Sequence, residues 1–542
     1  MNRSAKVLLL CFGWSLVLTF PLALNFGAAI PLGSEHSATV PYFNLWTLQW
    51  NIEQALRGFP NYWSPPIFAP TTGALAFSEP EPVTAFLAMP LWLFGGAAVG
   101  YNSVILLFLT LNGWFAFALL RGWHLSVPAA IGGALMMQSL PFVAQEMGVL
   151  QLTAIFGILW LLFFLQQFLN HPTPAHGIGL AVGIPLVFLT CGYYGLFSLI
   201  FVPPAVWAFS QRGMRFGGKL AGFVLAGILL AAPPVLVQRQ ILAEHNFTRS
   251  ETTIRQNSAT PKDYLKTLDT NLFYKRWLHR PAEKGQRLFP GWMLLALAAI
   301  GAVVPAKRMP RRGRWYLLGT IVLAFLLSLG LHLSIGGWEP YQMWRQFFPG
   351  MAALRSPFRF AVMGQISLAL LAGIGLEATL RLPKFSRPIA LALTVAAVAE
   401  SLALPLPLPL HTIPPIDTRQ PWQQWINRRD GTPTIVLLPF AKNGSTAAFE
   451  QTTRWMLENT SLDAAMLNGY SGFFPPAHGF LRAEMATFPT AEAIHLLRKY
   501  RTDYVIIFHS LPDAPSVGTV AAYLSPVYFD PDNRVSIFKM PP

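Results

Sequence analysis

The sequence predicts a polytopic α-helical membrane protein with about 11 transmembrane helices, followed by a C-terminal soluble α/β domain. Of its 542 residues, 53% are hydrophobic and only 12% are charged, whereas an ordinary soluble domain has about 25% charged residues. The apolar residues form runs that approach or exceed the roughly 20 residues needed to cross a bilayer. After residue 405 the composition changes to that of a soluble protein.

Eleven apolar runs are predicted to cross the membrane. A further stretch, residues 83–98, is interrupted by Pro90 and ends in two glycines, so it is short for a crossing. The predicted crossings are residues 7–30, 101–120, 126–143, 149–169, 175–190, 192–209, 218–237, 289–305, 315–334, 360–380 and 388–404.

Basic residues in the short loops predict the topology. If residues 83–98 do not cross, one class of loops is basic and contains no Asp or Glu, and Arg3 and Lys6 lie on the same side. The positive-inside rule places that side in the cytoplasm. We therefore expect residues 83–98 to form an interfacial helix within a first outer loop at about 31–100. The other basic residues of this class are Arg121, Arg212, Arg215, Lys219, Lys307, Arg308, Arg311, Arg312, Arg314, Arg381, Lys384 and Arg387.

The net charge of +15 does not indicate a nucleic-acid partner, because the basic residues lie in these short loops and not over one soluble face. A proline-rich segment predicts the boundary between a transmembrane domain, residues 1–404, and an extracytoplasmic domain, residues 405–542. Strand-like runs at 434–440, 503–509 and 535–540 accompany helical patterns there, which is typical of an α/β domain.

Two glutamates in the predicted outer loops are candidates for chemistry. Glu35 follows the first helix closely, and its carboxylate could deprotonate a hydroxyl or bind a divalent metal. The adjacent His36 is a candidate for binding the substrate. The alternative is a solvated loop end. Glu146 lies in a very short outer loop between two apolar runs. A carboxylate at that depth is costly unless it is paired or hydrated; the alternative is a water-facing surface residue.

Other outer-loop residues are candidates for binding a ligand. Glu79 and Glu81 stand among prolines before the interfacial helix, in a platform that is either purely structural or binds a lipid-linked or sugar ligand. Tyr341 lies in the outer loop that leads to Arg355 and Arg359, which flank a proline. Guanidinium groups grip phosphate through paired hydrogen bonds, so this pair predicts a lipid phosphate or pyrophosphate site. Ordinary headgroup anchoring is the alternative.

The order of these features resembles the GT-C integral membrane glycosyltransferases, in particular a broad bacterial group that includes YfhO-like membrane proteins. The resemblance extends over nearly the whole chain. It is carried by Glu35 after the first helix, the helix around residues 46–50, the Pro- and Phe-containing stretch before residue 83, Tyr101-Asn102, LRSPFRF at 354–360 and NGYSGFFPP at 468–476.

This resemblance implies an inverting transfer of a hexosyl or pentosyl group from a polyprenyl-phosphate-linked donor to an extracytoplasmic glycan, lipid or protein acceptor. Glu35 would be the catalytic base or a metal ligand, and Glu146 would assist it. A divalent metal, Mg or Mn, is a possible cofactor. Arg355 or Arg359 would stabilise the leaving lipid phosphate. The expected location is a bacterial inner membrane with a cytoplasmic N-terminus.

Two other functions stay open on the sequence. A transporter of a lipid-linked glycan or polymer would also have many helices and few charges. Transporters usually place ionisable residues near the bilayer midplane, whereas here the acids cluster in outer loops, which favours surface chemistry. A non-catalytic cell-envelope assembly protein on the same scaffold is the third possibility.

Overall fold

The apolar runs of the first four hundred residues form helices. The computed structural model describes residues 3–210, 217–268, 271, 273, 274, 285–304, 311–381, 386–401, 407–414, 416, 419–460 and 462–541. The helices of this part are α1 (Arg3–Leu18), α2 (Thr39–Arg57), α3 (Pro82–Gly95), α4 (Ala97–Gly122), α5 (Val127–Gln138), α6 (Pro141–Gln145), α7 (Phe156–Asn170), α8 (Pro174–Thr190), α9 (Gly192–Phe201), α10 (Pro203–Phe209), α11 (Gly217–Glu244), α12 (Glu251–Gln256), α13 (Trp292–Val303), α14 (Arg311–Ser328), α15 (Pro340–Phe347), α16 (Ala361–Thr379) and α17 (Ser386–Ser401).

Every predicted crossing after the first corresponds, over its described residues, to a helix or to consecutive helices. The first prediction, residues 7–30, was too long: α1 ends at Leu18, shortly before Pro21, and a short 3-10 helix (Leu22–Asn25) and strand β1 (Ala29–Pro31) follow it, because proline lacks the N–H that would continue a helix. The number of crossings stays a prediction. Among the described residues, five helical segments are long and apolar enough to span a membrane, or six if the bent pair α9 and α10 is one span. The others are shorter than the bilayer requires or less apolar. The five are Ala97–Gly122, Val127–Gly148, Leu150–Asn170, Gly217–Glu244 and Pro357–Thr379.

Several sequence predictions fall outside the described residues. The boundary at 404–405 is one of them, so the division into two domains stays a prediction. Five of the basic loop residues also lie outside the described residues, namely Arg212, Arg215, Lys307, Arg308 and Lys384.

The stretch predicted to lie in the interface forms helix α3. Gly96, with φ +86° and ψ 178°, separates it from α4, a conformation that glycine adopts readily. The exposed face of α3 is strongly apolar, since Phe86 is 74% exposed and Phe94 is 92% exposed. Such a face suits lipid contact, and the interfacial position of α3 stays a prediction.

Strands β3 (Thr434–Leu438), β4 (Ala465–Met466), β5 (Tyr504–Phe508), β6 (Ser525–Asp530) and β7 (Val535–Lys539) form a sheet in the C-terminal region. Their order in the sheet is β4-β3-β5-β7-β6. The three predicted strands correspond to β3, β5 and β7. Strands β3, β4 and β5 are parallel, and β5, β7 and β6 are antiparallel. The elements are β2 (Leu410–Thr412), α18 (Pro421–Asn427), β3 (Thr434–Leu438), α19 (Glu450–Glu458), β4 (Ala465–Met466), α20 (Pro476–Met485), α21 (Ala491–Lys499), β5 (Tyr504–Phe508), α22 (Val517–Ala521), β6 (Ser525–Asp530) and β7 (Val535–Lys539).

Alternating side chains of the sheet enter two different cores, as the pleat of a strand requires. Ile435 and Leu437 of β3 belong to the large core that continues into the helical region. Val436 and Leu438 enter a smaller core with residues of α20 and α21. One face of the sheet is therefore turned towards the helical region.

The first outer loop is the surface on which the C-terminal region docks. Its strand β1 (Ala29–Pro31) pairs with β2 in antiparallel register. Farther along, the Phe68 N–H donates to the Asn468 carbonyl at 3.2 Å, and the Ala69 N–H donates to the Met466 carbonyl at 2.9 Å. Together with the bond from the Phe473 N–H to the Phe77 carbonyl at 2.9 Å, these bonds place residues 468–474 against residues 68–77.

Candidate active site

Two loops that are far apart in the sequence meet at the predicted acids. The Ser34 N–H donates to the Gln145 carbonyl at 3.0 Å. Gly33 has φ +60°, and a Cβ there would lie 2.6 Å from the Gly148 nitrogen. A Cβ on Gly148 would lie 2.2 Å from the Leu32 oxygen. Glycine at both positions therefore permits the close approach that brings Glu35 and Glu146 into one site.

Glu146 is paired, as its depth requires. Its Oε2 lies 3.6 Å from Nη2 of Arg359, and both residues are 8% exposed. Arg359 stands in the short turn that opens α16, and its guanidinium also lies over the Tyr193 ring at 4.6 Å. The carboxylate and the aromatic face together fix the position of this guanidinium.

Glu35 is half-buried at the same place, while His36 is exposed. Burial raises the pKa of Glu35, and the neighbouring Glu146 raises it further, while Arg359 and Arg355 act in the opposite direction. A carboxyl group whose pKa is moved towards neutrality, next to fixed positive charge, is typical of a general base. The structure thus brings together four of the predicted residues.

Arg249 is a member of the site that the sequence interpretation missed. Its guanidinium lies 3.4 Å from the centre of the Phe473 ring, and its Nη1 donates to the Gly472 carbonyl at 2.6 Å. Burial and the nearby Arg355 lower the pKa of Arg249 to about 10. It stands between α11 and α12, in a segment of mixed charge where nothing in the sequence distinguishes it from its neighbours.

Tyr470 brings the C-terminal region into the site. The residue is 9% exposed and makes edge contacts with Phe43 and Phe474 at centroid distances of 5.4 and 5.8 Å. Burial raises the pKa of Tyr470, Arg355 lowers it and Glu35 raises it, so its hydroxyl is within electrostatic range of both. The motif at 468–476 was a sequence signal, but it pointed to no individual residue.

Glu79 has its carboxylate engaged within the protein. Its Oε1 accepts from the Tyr193 N–H at 3.1 Å, and its Oε2 accepts from Nε2 of Gln151 at 2.8 Å. A carboxylate at the first turn of α9 also interacts favourably with the helix dipole. These bonds connect the first outer loop to α9 and so help to position Tyr193, the ring beneath Arg359.

Glu81 and Tyr341 are more deeply buried, each 2% exposed. Within the described part of the chain, Oε2 of Glu81 and the hydroxyl of Tyr341 have no hydrogen-bond partner. Burial and the neighbouring Glu79 raise the pKa of Glu81 well above its usual range. Burial favours its neutral form, so Glu81 is less suited than Glu35 to act as a base. Ligand binding by Glu79, Glu81, Tyr341 and His36 stays a prediction.

The side chains at this site do not match the ligand set of a divalent metal. Mg²⁺ takes six oxygen ligands in near-octahedral geometry, and a protein usually supplies one or two carboxylates. Glu35 and Glu146 are the carboxylates here, but Arg359 already pairs with Glu146. Over the described ranges, no group of three or more His, Cys, Asp or Glu side chains could hold a metal ion.

No family model and no curated protein matches this sequence. Solved structures do resemble it. A mutant of the arabinofuranosyltransferase AftD from Mycobacteria matches with a TM-score of 0.64 and 14% identity, over 100% of this chain and 42% of that chain. The apo oligosaccharyltransferase of Archaeoglobus fulgidus matches with a TM-score of 0.52 and 12% identity, over 99% of this chain and 74% of that chain.

The likeness is one of fold, since the identities are low, and this chain spans less than half the length of the AftD enzyme. Both neighbours belong to the GT-C glycosyltransferases. The predicted resemblance is therefore confirmed at the level of architecture: this chain has the GT-C fold.

Proposed function

We propose that this protein is a membrane glycosyltransferase that moves a sugar from a polyprenyl-phosphate-linked donor to an extracytoplasmic acceptor. The observation that carries the proposal is the position of Glu35, half-buried beside Glu146, Arg355 and Arg359. It combines a candidate base with fixed positive charge, the two groups that displacement of a phosphate requires. The GT-C fold of the chain supports the same reaction class.

The proposed reaction is a single displacement. Glu35 takes the proton of an acceptor hydroxyl while the acceptor oxygen bonds to the anomeric carbon of the sugar. The bond from that carbon to the phosphate oxygen breaks, and its electron pair stays on the lipid phosphate. Arg355 and Arg359 stabilise the negative charge that develops there. Attack opposite to the leaving group inverts the configuration of the anomeric carbon.

We further propose a bacterial inner membrane as the location, with the N-terminus in the cytoplasm and the site on the outer side. The residues that meet at the site come from five segments that the distribution of basic loop residues predicts to lie on the outer side of the membrane. Their representatives are Glu35, Glu146, Arg249, Arg355 and Tyr470. Their meeting at one place supports a common side of the membrane, since no polar loop would cross the bilayer to reach another.

The first experiment is transfer of radiolabelled sugar in proteoliposomes from a panel of polyprenyl-phosphate sugars, at matched folded yield. We expect Glu35→Gln to lower transfer by about 100-fold to 10,000-fold, the usual contribution of a general base. Glu492→Gln, at an exposed acid of α21, is the matched control and should transfer normally. Activity of the wild type should fall as the pH drops, because protonated Glu35 cannot accept a proton.

Other results would favour the other functions. Specific flux of a lipid-linked glycan, without transfer from any donor, would indicate a transporter. Binding of an envelope component without transfer or flux would indicate an assembly protein. Normal transfer by Glu35→Gln would contradict the assignment of the base while leaving the transferase itself in place.

A further inference from the structure

We infer that Arg359, held by Glu146, takes the place of a divalent cation in this site, so that sugar transfer needs no metal ion. The part of the inference that concerns transfer rests on the proposed function. The part that concerns metal binding does not, since it is a property of the folded protein and can be measured without a substrate.

A divalent ion would compete with Arg359 for the carboxylate of Glu146. A divalent ion bound between Glu35 and Glu146 would need the Glu146 oxygens as ligands, but Oε2 of Glu146 lies 3.6 Å from Nη2 of Arg359. Both partners are 8% exposed, so water does not screen this pair as it would screen a surface ion pair. A metal ion would have to separate this buried guanidinium from its carboxylate partner, which is costly.

The charged side chains of the site already offset one another. Glu35 and Glu146 together carry two negative charges when both are ionised, and Arg355 and Arg359 both act on each of these acids. The charges of these four groups are thus balanced without a metal, and Arg249 adds a further positive charge near Arg355. A divalent ion added among them would be repelled by both guanidiniums at short range. Over the described ranges, no group of three or more His, Cys, Asp or Glu side chains could hold such an ion.

Arg359 is also prepared to bind an anion. The guanidinium is fixed by Glu146 on one side and by the Tyr193 ring at 4.6 Å on another. Its Nε is buried and has no hydrogen-bond partner in the described part of the chain. An unused donor on a fixed, buried guanidinium can bond a phosphate oxygen without loss of side-chain freedom. A metal ion would supply the same stabilisation as a Lewis acid.

The test compares metal and arginine directly, with the full-length protein in nanodiscs. Binding of Mn²⁺ is followed by the loss of the free-ion EPR signal. Transfer is measured with a chelator and with added Mn²⁺ or Mg²⁺. The variants are Arg359→Ala, Arg359→Lys and, as a control, Arg454→Ala, whose side chain is 46% exposed and pairs with Glu458 within α19.

We expect no stoichiometric Mn²⁺ binding by the wild type and a change of less than twofold in transfer with the chelator. Arg359→Ala should lose about 100-fold or more, as when a fixed donor to a developing charge is removed, and added guanidinium ion should restore part of this loss. Arg359→Lys keeps the positive charge near Glu146, so it provides a folded variant if Arg359→Ala fails to fold.

Two results would overturn the inference. One is stoichiometric Mn²⁺ binding that disappears in Glu146→Gln, and this result would count even if no donor supported transfer. The other is transfer that a chelator abolishes and Mn²⁺ restores. Absence of transfer under every condition would instead contradict the proposed function, and the EPR measurement would still decide whether the site takes a metal.

Discussion

Substitution of Gly148 by alanine tests how the two acids are brought together. The new Cβ would lie 2.2 Å from the Leu32 carbonyl oxygen and 2.9 Å from Cγ of Glu35. Ordinary van der Waals contact begins near 3.4 Å. The backbone segment that carries Leu32 and Glu35 must therefore move by about 1 Å, which is the difference between 3.4 Å and the 2.2 Å to the Leu32 oxygen. A displacement of that size at a reacting group costs up to about 100-fold in rate, or about 2.7 kcal/mol.

The assay is the same transfer reaction in proteoliposomes, with Gly319→Ala as the matched control. Gly319 lies in α14, and a Cβ there would meet nothing within 4 Å. We expect Gly148→Ala to lose activity by about 100-fold at an unchanged folded yield, and Gly319→Ala to keep it. If folded Gly148→Ala transfers within a factor of about two of the wild type, which is well below the loss expected from a 1 Å displacement, the geometry argued for Glu35 is refuted.

Two further predictions concern stability, measured as thermal unfolding of the full chain in one detergent. Burial among Phe68, Phe440 and Phe474 lowers the pKa of His478 from 6.5 to about 4. Between these pH values the unfolded chain binds a proton that the folded chain does not. The free energy of unfolding should therefore fall by about 3 kcal/mol as the pH falls from 6.5 to 4. His478→Phe should remove this pH dependence, and an unchanged pH dependence would contradict the assignment. Arg359→Ala should destabilise the fold by about 3–5 kcal/mol, because Glu146 is left buried and unpaired. The double variant with Glu146→Gln should recover a part of this loss. Strictly additive effects of the two substitutions would show that the pair is not coupled.

Local patterns in the sequence indicated the helices and the residue types of the site. Apolar runs of membrane-spanning length predicted where helices form, because a chain in lipid must satisfy its backbone internally. The depth of its loop identified Glu146 as an acid that needs a partner. Glu35 was identified by its place after the first helix, and Arg355 and Arg359 by the ability of guanidinium groups to bind phosphate. These inferences need only the composition of short windows, and the structure keeps these residues together at one place.

Only the tertiary structure decided which partner each residue has. Arg359 pairs with Glu146, and Glu79 accepts the Tyr193 N–H in the first turn of α9. Arg249 enters the site from a segment that showed no local signal, and Tyr470 enters it from a motif that indicated no individual residue. The physical reason is that such contacts depend on how loops distant in the chain fit together, here through the close approach at Gly33 and Gly148, and a periodic pattern within one segment carries no information on that fit.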